Sequence, residues 1–313
     1  MIRQADTEGG WLSLSAGDLR LELAPEVGGA IARFGVERSP PAPAGRGQPA
    51  EARYVPIMRP APAALDDALD AACFPLVPYS NRVRDGRFDF AGHRVELTRN
   101  MAGQAHPLHG DGWRAPWRVL RASELMAELA YRHEPADWPW PYEAVQRFDL
   151  DAEGMTVRLA CRNLSDEPMP CGLGLHPYFP CNGTTVLDAA VDWAWTIDDE
   201  VMPVDRVPAR DRYDLRNRMI CGQDLDNGFE GWAGEAAISW PDDGWCLTFT
   251  CPDATRFQVY SPASGGVFVA EPVTNANAAL NRPVADWPAS GLHILRPGDE
   301  VAMVTRFTVE ELS

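Results

Sequence analysis

Apolar and polar residues alternate along most of the chain. A period of two is the mark of a strand, where successive side chains point to opposite faces. Tyr142, Ala144, Phe148 and Leu150 share one face, with Gln146 a polar exception among them. The turn DAEG follows. Val157, Leu159 and Cys161 then line the next strand, opposite Thr156, Arg158 and Arg162, which predicts a hairpin. A second hairpin is expected at the C-terminus, with RPGDE as its turn and Val301, Met303, Phe307 and Val309 as the inward face. LRLELAP, MAELAYRH, CLTFTC and RFQVYS add further strands. The i, i+3, i+4 spacing of a helix is scarce; its best instance, residues 63–72 with Leu65, Ala68, Leu69 and Ala72, is short. The pattern predicts an all-β protein of many antiparallel strands, arranged as a large sandwich or a barrel.

Length and composition narrow this picture. The 313 residues are 45% hydrophobic, enough for a sizeable core in one large all-β domain or two ordinary ones. Proline and alanine dominate residues 39–63, yet too little chain precedes them for an independent domain. Residues 1–313 are therefore expected to form a single domain with a surface excursion at about 39–63. No stretch approaches the roughly 18 uncharged apolar residues of a membrane span, and the start MIRQADTEGGW lacks the apolar region of a signal peptide. The seven cysteines have no C-x-x-C spacing and read as reduced thiols of a cytoplasmic protein. A formal net charge of −17 repels nucleic acid and anionic membranes, which argues against both as partners and leaves a neutral small molecule compatible.

Four short segments could carry chemistry. PYSNRVRDGRF at 78–88 holds Asn81 and Arg82, an amide beside a forked cation, suited to fixing hydroxyls or a carboxylate. HPLHGDGW at 106–113 holds His106 and His109. Their spacing puts them on opposite sides of a strand, Pro107 disfavours a helix, and no third ligand is in view, so a metal site is not expected. GLGLHPYFP at 172–180 places His176 between an apolar stretch and a rigid aromatic cluster. VAEPVTNAN at 269–277 puts Glu271 after an apolar run, where desolvation raises a carboxyl pKa and makes a usable base. Each also has a plain structural reading: a core-filling histidine, a strand-end glutamate turned to solvent, a loop arginine paired on the surface. Eleven tryptophans suit a ligand that stacks on rings, and Trp113 and Trp117 directly follow the His109 turn, although tryptophan in a β-protein is more often core.

Taken together and in order, the chain resembles the aldose 1-epimerase (galactose mutarotase) family. The matching elements are FPLVPYSNRVRDGRF, LHG, the run from WPWPYEAVQRF through GLGLHPYF, LDNGFEGW and FVAEPVT, and the resemblance extends from about residue 15 to the C-terminus. It implies a large single-domain β-sandwich of the galactose mutarotase type with a sugar site on the concave face of a sheet. It further implies His176 as catalytic acid, Glu271 as catalytic base, His109 as a second site histidine, and Asn81, Arg82 and Asp226 (of DNGF) as sugar-binding residues. The implied partner is a small-molecule sugar, bound by a monomer or homodimer. The implied reaction is interconversion of the α and β anomers of a free hexose through ring opening, two proton transfers that need no metal and no cofactor. A histidine suits such a role because its pKa lies near neutrality. The family's usual asparagine and second glycine around LHG are His106 and Asp111 here, a departure expected to fall where ring hydroxyls are read. Alternative readings are a mutarotase of a sugar phosphate or derivatised sugar, with Arg84, Arg87 or Arg114 supplying a basic subsite, and a non-catalytic carbohydrate-binding protein of the same fold.

Overall fold

A computed structural model describes residues 10–38 and 53–312. Two large sheets are present, one of eleven strands and one of nine, and the pairings between their strands are antiparallel. The regular helical segments among the described residues are short 3-10 turns. The central strands of the larger sheet run in the spatial order Ala30–Arg38, Cys73–Leu76, Gly174–Pro180, Val267–Val273, Arg256–Ser261, Leu225–Glu230 and Trp193–Ile197.

Aromatic contacts show how the sheets stack. Phe179 and Phe257 of the larger sheet meet Phe249 of the smaller one, with ring centroids 6.2 and 6.0 Å apart, and Phe249 meets Phe307 at 5.7 Å. This interior is the core of a sandwich, not the lumen of a barrel. The period of two then fixes the other face. Where Leu175, Phe179, Phe257, Val259, Phe268 and Ala270 turn inward, all of them buried, His176, Tyr178, Gln258, Tyr260 and Glu271 turn away from the core.

The first predicted hairpin is present as Tyr142–Asp151 and Gly154–Asn163. Asp151 Oδ1 accepts the N–H groups of Glu153 and Gly154 (2.9 and 3.1 Å), which closes the DAEG turn. Gln146, the polar exception, is buried and donates through Nε2 to Gly29 O (2.9 Å), so its amide is satisfied within the core face.

The second hairpin is not there. His293–Leu295 pairs with Met169–Cys171, whereas Glu300–Glu311 lies between Gly154–Asn163 and Trp245–Thr250. The RPGDE turn instead docks on the end of another strand: Gly298 N–H donates to Asn163 O and Asn163 N–H to Asp299 O, both at 3.0 Å. A Pro-Gly turn reverses a chain without obliging its two arms to pair. Residues 63–72 form loop with a 3-10 turn at Ala68–Asp70.

The Pro/Ala-rich stretch is divided. Residues 39–52 lie outside the described residues. Arg53–Pro56 pairs with Ala30–Arg38, Ile57 and Met58 are buried, and Arg59 N–H donates to Tyr178 O (2.8 Å), so this half is anchored to the sheet, with Arg53, Pro60, Pro62 and Ala63 exposed. All seven cysteines are free thiols.

Candidate active site

Strand register alone brings the two proposed catalytic groups together. Phe74 pairs with His176, Glu271 with Gln258, and Gln258 with Gly228. Gly174 lies opposite Val273 and Tyr178 opposite Val269, which sets His176 across from Glu271 on the rung between. Directly opposed residues share a face. Phe74, His176, Glu271 and Gln258 therefore form one row across the outer face of the larger sheet. The next rung on that face holds Tyr178, Val269, Tyr260 and Asp226. His176 Nε2 lies 3.3 Å from Glu271 Oε1, and the imidazole stacks on Phe74 with centroids 4.4 Å apart and planes at 16°.

Two loops add to these rows. Residues 77–83 are tied to the end of the Glu271 strand by Asn275, whose Oδ1 accepts Ser80 N–H and whose Nδ2 donates to Ser80 O, both at 3.0 Å. Residues 100–112 are folded around Asn100. Its carboxamide accepts Leu108 N–H (2.9 Å) and donates to Leu108 O (2.7 Å) and Gly110 O (3.1 Å). Gly110 has φ +68°, and a Cβ there would stand 2.3 Å from Val77 O, so only glycine lets the two loops close on each other. The loops then bond reciprocally: His109 N–H donates to Asn81 O, and Asn81 N–H donates to His109 Nδ1, both at 3.0 Å. With Nδ1 an acceptor, the proton of neutral His109 sits on Nε2.

Arg82 is held within the same cluster. Its Nη1 donates to Asn81 Oδ1 (3.2 Å) and its Nη2 to Gln104 Oε1 (3.1 Å), with Asp226 Oδ2 at 3.5 Å. Gln258 Nε2 donates to Asp226 Oδ1 (2.9 Å). A cleft of about 460 Å³ opens over the rows, and Asn81, Arg82, His109, His176, Asp226 and Glu271 all line it. All six candidate residues thus converge on one cavity.

Burial governs the charges here. It pushes the Glu271 carboxyl well above the usual carboxylate range, with nearby Asp226 adding to the effect and Arg82 opposing it. It pushes Asp226 up as well, against the pull of Arg82 and the Gln258 hydrogen bond. It pulls His176 down to about 3, with Arg59 acting in the same direction. His109 is held well below the ordinary histidine value by burial, by His176 and by Arg82. Glu271 Oε2 and His176 Nδ1 are buried without hydrogen-bond partners, an arrangement with an energetic cost.

Other expectations need correction. His106 and Asp111 do not line the cleft. His106 Nδ1 accepts Asp85 N–H (3.1 Å) with Nε2 beside Glu200 (3.2 Å), and Asp111 faces His133 (3.6 Å), so both brace the loop instead of reading ring hydroxyls. Arg84, Arg87 and Arg114 are also outside it: Arg84 lies near Asp198, Arg87 pairs with Glu96, and Arg114 donates to Asn100 O. Trp113 and Trp117 are buried, the first stacked on Phe74 and the second donating to Gly112 O. The residues that sequence reasoning missed are Gln258, Gln104 and Arg59, all on the cleft wall. Only Gln258 left a trace, as a polar residue between Phe257 and Val259.

Comparison with known proteins agrees with this fold. A family model described as aldose 1-epimerase matches residues 49–308. The uncharacterized protein YphB of Escherichia coli K12 is 30% identical over 311 residues, covering 96% of this chain and 99% of its own. A crystal structure from the same organism, provisionally designated an aldose 1-epimerase, superposes with a TM-score of 0.81 at 29% identity, covering 96% and 99% of the two chains. A galactose mutarotase-like protein from Clostridium acetobutylicum shares the fold at a TM-score of 0.79 and 16% identity, covering 96% and 95%.

Proposed function

Because the chain belongs to the aldose 1-epimerase family, we propose that it interconverts the α and β anomers of a hexose with a free anomeric hydroxyl, with Glu271 as base and His176 as acid. The observation that carries this reading is the 3.3 Å approach of the two groups on the cleft wall. Glu271 takes the proton of the anomeric hydroxyl while His176 gives one to the ring oxygen. The C1–O5 bond breaks, the free aldehyde forms, and rotation about C1–C2 presents the other face for closure. Both transfers then run in reverse.

The pair starts as carboxylate and imidazolium and ends, in the open form, as neutral acid and neutral imidazole. Burial favours the neutral forms, so the carboxylate is a stronger base and the imidazolium a stronger acid than either is in water. Their mutual contact keeps the charged form accessible for ring opening. Neutral His109 offers its Nε2–H as a hydrogen-bond donor, and Asn81, Arg82, Asp226 and Gln258 offer donors and acceptors for ring hydroxyls. The chemistry moves two protons and no electrons, so it calls for neither a metal nor an organic cofactor. The direct test is polarimetric or coupled anomerisation across a panel of free aldoses and their 6-phosphates. Failure to accelerate anomerisation of any of them would leave a binding protein in place of an enzyme.

The active pair carries one mobile proton, which sets its pH dependence. A second proton is added only as pH falls through the depressed His176 value of about 3. The last proton leaves only above the ordinary carboxylate range, because Glu271 is raised. The kcat/KM profile, which reports the free enzyme, should therefore stay flat well below the ordinary histidine pKa of about 6.5. An acid limb near that value would show that His176 titrates as if solvated.

Arg82→Ala should raise KM by at least about tenfold, the low end for a hydrogen bond to a charged group. It should also move the alkaline limb upward, since Arg82 opposes the rise of Glu271. A parallel fall in kcat would mean that Arg82 also steadies the developing oxyanion. Unchanged KM and limb would remove it from the site.

A further inference from the structure

Arg59 is the other arginine on the cleft wall, and the mechanism above does not use it. Its guanidinium lies over the Tyr178 ring, 3.8 Å from the centroid. One nitrogen, Nη2, donates to Leu69 O (2.5 Å) and Ala71 O (2.6 Å). Nε is buried with no hydrogen-bond partner. Whereas Arg82 has Asp226 at 3.5 Å, Arg59 makes no ion pair of that closeness among the described residues, and its nearest charge support is the more distant Asp70. A half-buried cation stacked on an aromatic ring and without a carboxylate in direct contact is costly to keep. A planar guanidinium held in this way is pre-organised for a carboxylate, sulfonate or phosphate.

Its position matters as much as its charge. Tyr178 stands two residues along the strand from His176 with ring centroids 4.8 Å apart, and the Arg59 guanidinium lies 3.8 Å from the Tyr178 ring, so it is no more than about 9 Å from the imidazole. That is the scale on which a sugar ring separates its anomeric carbon from the substituent at its far end. Tyr178 and Tyr260, both on the cleft wall, supply ring faces on the same rung.

We propose that Arg59, stacked on Tyr178, is the subsite for an acidic group carried by the substrate at the end remote from its anomeric carbon. The proposal rests on the mutarotase reading for what lies at the other end. A bound anion would also offset the Arg59 charge that disfavours the His176 imidazolium, coupling recognition to the catalytic acid.

The test is equilibrium binding by titration calorimetry to the catalytically silent Glu271→Gln protein, with glucose, glucuronate and glucose 6-phosphate as probes, together with anomerisation of all three by the wild type. At least one acidic sugar should bind at least about tenfold tighter than glucose, the low end for charge-assisted hydrogen bonds. Which of the two does so tells carboxylate from phosphate. Adding Arg59→Gln should collapse that ratio, and adding Arg59→Lys should restore part of it. A purely structural role for Arg59 would weaken all three sugars alike and leave the ratio unchanged. Equal binding of neutral and acidic sugars, or no binding of either acidic sugar, overturns the subsite. Absence of wild-type turnover with every sugar would instead overturn the mutarotase reading, while the binding ratio still decides the role of Arg59.

Discussion

Glu271→Gln should lower kcat by at least about 10²-fold, the low end for loss of a general base, while the protein melts no lower than the wild type. The substitution keeps the size and shape of the side chain and removes only its ability to take a proton. The stability half follows from linkage. The folded-state pKa of Glu271 is raised above its unfolded value, so the stability it contributes is complete below about pH 4.3 and is lost as pH rises toward the raised value. Glutamine does not titrate and escapes that loss. The gain in Tm over the wild type should therefore grow between pH 4 and neutrality. Anomerisation at the wild-type rate by the purified variant would exclude Glu271 as the base. A Tm difference independent of pH would show that its carboxyl is not held in the neutral form.

His176→Asn should also cost at least about 10²-fold in kcat, and more than His109→Asn does. The two histidines lie edge to face, with ring centroids 5.3 Å apart, yet their settings differ. His109 accepts a backbone N–H at Nδ1 and is kept neutral, so it serves as a hydrogen-bond donor. Its loss should cost about two- to tenfold, the worth of a net hydrogen bond of about 0.5–1.5 kcal/mol. Of the two histidines, His176 is the one that lies 3.3 Å from Glu271. It also stacks on Phe74 and lies 4.8 Å from Tyr178, so some fall in Tm is expected from lost packing. The decisive comparison is kcat per folded molecule, measured with Tm on one preparation. A lower Tm with near wild-type kcat would make His176 a packing residue, and equal losses in the two variants would make the histidines interchangeable donors.

The fold was legible in the sequence because alternation is a local signal, and strands such as Tyr142–Asp151 write it plainly. The pairing of the C-terminal strand was not, since RPGDE specifies a reversal and says nothing about which strand waits beyond it. Within the site, His176 and Glu271 stood out as polar residues in apolar surroundings. Gln258 did not, because alternation separates two faces of a strand without telling whether the polar one meets bulk water or a cleft. Arg59 was hidden for a different reason. It lies in a proline-rich stretch that reads as surface, and the bond from its N–H to Tyr178 joins residues far apart in the chain. His106 and Asp111 misled in the opposite sense, as their places in the family's pattern around LHG suggested contact with the sugar, whereas their side chains meet Glu200 and His133.

The origin of the side chains has a consequence for how such a protein can change. His176, Glu271, Gln258 and Asp226 come from sheet strands, where a shift of one residue would send a side chain through to the other face. His109, Asn81 and Arg82 come from loops clasped by Asn100 and Asn275. Under the proposed mechanism, lengthening or replacing those loops would re-aim the hydroxyl contacts while the strands keep His176 and Glu271 opposed. Preference for one sugar over another would then be free to drift, while the proposed reaction is inherited with the backbone.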